Sequence, residues 1–198
     1  MNQYNEMKEN LKKEIEGYYM QLFPLKDMIA VEKDVIGQEE MERAPNFTMI
    51  ILCALSDAYM IGIMRLYEKS ESKEERTIQN LIKKCKDNLP LFDKQEEKQA
   101  EVRSKLEEFE EALEHDYISN AIKTLKQRRD KIYAHNDKKY FGEKMLEDKS
   151  YFKMHHVWTL CDFAEKVLKY ISEQLSYNTS RGTRYDKDLR KLFSVSQN

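Results

Sequence analysis

The chain has 198 residues, enough for one domain, and is 40% hydrophobic and 35% charged, with only 5 Gly and 3 Pro. So few turn-formers exclude a β-sandwich or barrel, while the plentiful Glu, Lys, Leu and Met favour helix. A formal net charge of -2, from 34 basic and 36 acidic side chains, excludes a protein that coats nucleic acid by bulk charge.

Taken in chain order, residues 4–22 place Tyr4, Met7, Leu11, Ile15, Tyr18, Tyr19 and Leu22 at three-and-four spacing. That spacing predicts a helix with one buried face. Pro24 predicts its end or an offset, and a second helical run is predicted over about residues 25–42. Residues 1–44 are therefore expected to be a helical pair packed on the rest. Pro45-Asn46 breaks the chain, and an apolar helix is predicted from about residue 47 to 68. Its stretch Phe47 to Met64 is 18 residues long, near the lower limit for crossing a bilayer. Asp57 lies close to its centre, where an acid costs roughly 2.5–3.5 kcal/mol on insertion scales. The helix is thus expected to be the buried centre of a soluble bundle, with no membrane partner. A buried Asp57 would need a partner, for which Arg65 and Arg129 are the candidates.

A polar loop, Lys69 to Glu75, precedes a short helix carrying Thr77, Ile78, Leu81, Ile82 and Cys85, which Asn88-Leu89-Pro90 ends. A long charged helix follows from Asp93, with Val102, Leu106, Phe109 and Leu113 as a narrow apolar stripe. The stripe changes phase around His115-Asp116-Tyr117 and resumes as Ile118, Ala121, Ile122, Leu125 and Ile132, predicting a helix up to Ala134. Residues 136–153 read as a polar connection. The final main helix, about 154–176, carries Val157, Leu160, Cys161, Ala164, Val167, Leu168, Ile171 and Leu175. Residues 177–198 are expected to be a tail with a short helix at 187–193.

Cys53, Cys85 and Cys161 form an odd, scattered set without a C-x-x-C pair, which argues against a disulfide framework and a zinc site. Each is expected to be a small buried hydrophobe. His155, His156, Cys161 and Asp162 match no closed metal site by spacing, so no metal or other cofactor is expected. The N-terminal residues lack the pattern of a secretory signal, and the expected compartment is the cytoplasm.

Charge is unevenly distributed. Residues 95–116 sum to -6, whereas residues 121–144 sum to +5. The basic segment centres on Leu125 to Asp137, reading LKQRRDKIYAHND. Arg offers a planar fork of donors for phosphate, and His exchanges protons near neutral pH. Together they suffice to cleave RNA without a metal: His draws the proton from a ribose 2′-OH, and Arg stabilises the charge developing at phosphorus. In a continuous helix the six residues from Arg129 to His135 advance about 9 Å and leave the two side chains about 120° apart. The two share a face only if the helix loosens or ends near Tyr133-Ala134. Arg128, seven residues before His135, lies on nearly the same side as His135.

The string Arg129-Asp130-Lys131-Ile132-Tyr133-Ala134-His135-Asn136-Asp137 resembles the signature of HEPN domains, in its abortive-infection AbiU-like branch. Leu55 to Glu68 resembles that branch's buried helix ending in an Arg-Leu pair, and Thr77 to Lys84 its short following helix. The resemblance covers roughly residues 45–176. It implies an all-α, HEPN-type helical bundle with additional N-terminal helices, which dimerises to bring two motifs into one cleft. It further implies a metal-independent endoribonuclease of a toxin–antitoxin or phage-defence setting, with RNA as substrate and an antitoxin protein as a possible partner. By position, Arg129 and His135 would be catalytic, Asp130 would orient the pair, and Arg128 would be a phosphate contact. The alternative is a non-catalytic HEPN-like module that binds RNA or protein.

Overall fold

The computed structural model describes residues 3–32, 44–68, 76–130 and 154–178. Its elements are all helical: α1 (Gln3–Ala30), α2 (Pro45–Tyr67), α3 (Ile78–Asp87), a 3-10 turn (Leu89–Leu91), α4 (Glu96–Glu114), α5 (Asp116–Arg128) and α6 (Met154–Gln174). The architecture is an all-α bundle, as the composition and periodicity predicted. Among the described residues one contiguous hydrophobic cluster runs from Leu11 on α1 to Leu175 just beyond α6. Helix α1 packs on α2 and α6, α5 packs on α6, and α3 packs on α4.

The first departure from the sequence reading is Pro24. Helix α1 continues through it to Ala30 instead of ending. An interior proline removes one backbone hydrogen bond and costs ~3 kcal/mol. Beyond it, however, Leu25 and Ile29 are buried on the stripe that Leu11, Ile15, Tyr18 and Leu22 begin. Each buried aliphatic side chain contributes about 1.5–3 kcal/mol, so burial outweighs the proline. The continuation of the expected second run past residue 32 lies outside the described residues.

Helix α2 gives the second correction. It is long and apolar enough to cross a membrane, but it is not buried all round. Its C-terminal half supplies Tyr59, Met60, Ile63, Met64, Leu66 and Tyr67 to the core. In its N-terminal half Phe47, Met49, Ile50 and Cys53 are exposed. Asp57 is exposed as well, so it has no need of the buried partner that the sequence reading sought. Cys53 likewise departs from the expectation of a buried thiol, whereas Cys85 and Cys161 meet it.

Elsewhere among the described residues the expected boundaries hold closely; the predicted helix end at Ala134, the connection over 136–153 and the short helix at 187–193 lie outside them. Thr77 caps α3, its Oγ1 accepting from the Asn80 amide at 3.2 Å. Its carbonyl also accepts the buried Tyr18 hydroxyl at 2.9 Å, which ties the start of α3 to α1. The phase change near His115 is a break between two helices, with His115 in extended conformation. Tyr67 donates its hydroxyl to the Leu160 carbonyl, locking the end of α2 to α6.

Two glycines occupy helix interiors, where each costs about 0.5–1 kcal/mol relative to Ala. A Cβ on Gly62 of α2 would lie 2.4 Å from Leu25 Cδ2 on α1, so glycine lets these helices approach. A Cβ on Gly17 of α1 would lie 3.0 Å from Arg76 Nη1, so the Arg76 guanidinium rests against the α1 backbone there.

Candidate functional site

Leu125 holds α5 against the core with full burial. This fixes the end of α5 from which the candidate residues project. Arg128 and Arg129 follow, both half-buried. At Arg129-Asp130 the backbone widens into a π-type turn; Tyr133-Ala134, where the spacing calls for loosening, lie outside the described residues. Such turns are frequent at functional sites.

Arg129 is held from two sides. Its Nε and Nη2 both donate to Asp130 Oδ1, at 2.9 and 2.7 Å. Its Nη1 donates to Glu68 Oε1 at 2.8 Å. Glu68 directly follows α2, so this bond links the end of α2 to the end of α5. Burial works against the charged guanidinium, but the hydrogen bonds from Arg129 to Asp130 and Glu68 outweigh it and raise its pKa above the usual arginine value. Among the described residues three of the five guanidinium N–H groups are engaged, and the other two have the geometry to meet an oxygen of a phosphate. Asp130 thus contacts Arg129 directly.

Glu68 was not legible as a site residue in the sequence. It lies 61 residues from Arg129, and no spacing rule connects helix ends that far apart. His135 lies outside the described residues, so the second half of the expected pair is not placed here. The other set considered in the sequence does not converge. The His155 and His156 rings lie tilted against each other with centroids 4.0 Å apart, Cys161 is buried, and Asp162 meets Lys26 of α1 at 3.4 Å. Among the described residues no three His, Cys, Asp or Glu side chains gather as metal ligands.

Beside Glu68 lies an open groove of about 590 Å³ between α1 and α2. Arg65, one helical turn before Glu68, and Arg76 both line it.

An all-α bundle with an Arg-Asp pair just beyond the end of α5 accords with the HEPN resemblance of the sequence. The comparison with family models agrees. The model of the HEPN-type AbiU2 family matches residues 2–192, and the chain belongs to that family. The match extends well beyond residues 45–176 and takes in α1. No curated protein and no solved structure gives a match.

Proposed function

We propose that this abortive-infection HEPN-type protein is an endoribonuclease that needs no metal. Arg129 holds the scissile phosphate, and His135 acts as the acid–base group. His135 takes the 2′-OH proton, the 2′-oxygen attacks phosphorus, and the 5′-oxygen leaves with a proton. The products are a 2′,3′-cyclic phosphate and a 5′-hydroxyl end. Arg128 is a further phosphate contact. The working unit is a cytoplasmic homodimer in a toxin–antitoxin or phage-defence setting, restrained by an antitoxin protein. The observation that carries this reading is the pre-oriented Arg129, fixed by Asp130 and Glu68 with two donors unengaged by the described residues.

The same observation favours a second reading. Two carboxylates against one guanidinium leave a local charge of about -1, which repels a phosphate. A non-catalytic module that binds RNA or protein through residues other than Arg129 would tolerate that. The test is incubation of the purified protein with RNA in EDTA, beside Arg129→Ala and His135→Ala variants. Cyclic-phosphate products that vanish in both variants support the nuclease. RNA binding without cleavage supports the module. Cleavage that stops with chelator, or that survives both substitutions, overturns the mechanism.

A further inference from the structure

The groove between α1 and α2 has features that Arg129 chemistry does not use. Arg65 and Arg76 line it from α2 and from the residue before Thr77. Both are exposed, and among the described residues neither meets a carboxylate within ion-pair distance. In this they differ from Lys26, Lys84 and Lys86, each of which meets a carboxylate. Two guanidinium groups that line one cavity, neither paired with a described carboxylate, suit an anion.

The backbone is shaped for the same arrangement. The absent side chain at Gly17 gives the Arg76 guanidinium its resting place on α1. Gly62 lines the groove and keeps its floor low, with Met20 and Pro24 on the opposite side. A cavity of about 590 Å³ lies within the range typical of small-ligand sites. Its mixture of apolar floor and paired cations suits a nucleoside phosphate, whose base is flat and apolar-faced and whose phosphate takes planar donors. Glu68 lines this groove and also bonds Arg129, so the groove adjoins the candidate cleavage site.

The geometry points to a second subsite, in which Arg65 and Arg76 hold a flanking phosphate of the RNA strand while its nucleoside lies over Gly62 between Met20 and Pro24. This rests on the RNA reading proposed above and adds the strand's path to it. It also answers the local charge problem, because the two arginines offset the carboxylates that surround Arg129.

The test uses the full chain and a fluorescein-labelled 2′-O-methyl octaribonucleotide, which lacks the attacking hydroxyl, so binding is read apart from cleavage. Anisotropy is measured for the wild type, for Arg65→Ala/Arg76→Ala and for Arg65→Lys/Arg76→Lys, with folding checked by circular dichroism. The double alanine variant is expected to bind about tenfold more weakly, with a salt dependence shallower by about one unit, and the lysine variant to fall between. Wild-type binding that both variants retain overturns the subsite while leaving the RNA reading in place. A wild type that binds no octamer overturns the RNA reading and the strand path with it. Adenosine monophosphate titrated alone separates the strand from a free nucleotide. Arginine-dependent binding of the monophosphate as tight as that of the octamer would overturn the strand assignment.

Discussion

Arg129 Nη1 and Glu68 Oε1 meet at 2.8 Å across 61 residues of sequence, joining the end of α5 to the end of α2. The contact orients the guanidinium, but it also sets a carboxylate where the phosphate of an RNA strand would approach. Glu68 therefore acts in two opposing ways, which substitution can separate.

Glu68→Gln retains an acceptor oxygen and removes the charge. One screened unit charge a few ångströms away is worth about 1 kcal/mol, so affinity for an uncleavable RNA should rise about fivefold. The ion pair is partly exposed, and the loss of stability should stay below about 1 kcal/mol. Fluorescence anisotropy and a urea melt check the two quantities. Unchanged affinity would show that Glu68 lies off the path of the strand.

Arg129→Lys keeps the charge but cannot donate to Asp130 and Glu68 in one plane. RNA cleavage should fall at least about tenfold while the melting temperature moves little. Full activity in this variant would mean that the fork geometry is irrelevant and that only charge matters.

The three cysteines should separate by accessibility. Cys53 is exposed and should be labelled by iodoacetamide in the native protein at pH 8. Burial pushes the Cys85 and Cys161 thiols up to about 12, so they should react only after unfolding. Their folded pKa lies above the ordinary value of 9.0, so the unfolded chain loses these protons first as pH rises. The two sites' contribution to stability is complete below about pH 9 and declines between about pH 9 and 12. The urea midpoint at pH 10 should lie below that at pH 8.

Phe47, Met49 and Ile50 form an exposed apolar patch on α2. In the proposed homodimer the second copy covers it. Ile50→Glu should then convert a particle of about twice 23.8 kDa into one of 23.8 kDa in sedimentation equilibrium. A wild type that is monomeric, or that co-sediments with lipid vesicles, would count against the dimer.

Gly62→Val places branched carbons where Leu25 already lies, 2.4 Å from the added Cβ. Overpacking of this kind costs about 1–3 kcal/mol, well above what the gain in helix propensity returns. A fall in the chemical-denaturation midpoint checks it.

Helix identities were legible because apolar residues recur at three-and-four spacing, and the buried set of α6 matches that pattern closely. The outer environment of a helix was less legible. The hydropathy of α2 marks it as a helix that avoids water, but it does not say whether the cover comes from the same chain. Pro24 was misread because a local rule was weighed without the burial of Leu25 and Ile29 beyond it. Of the candidate site, Arg129 and Asp130 were found by adjacency in a motif. Glu68, Arg65 and Arg76 enter only through the packing of α1, α2 and α5, which no linear spacing encodes.

Thr77 is fastened twice, by the Tyr18 hydroxyl on its carbonyl and by the Asn80 amide on its side chain. The start of α3 is therefore pinned to α1 independently of the chain that precedes it, and Arg76, adjacent to Thr77, is carried with it. The groove's cation from this side is thus placed by the docking of α3, so a change that loosens Tyr18 should displace Arg76 as well.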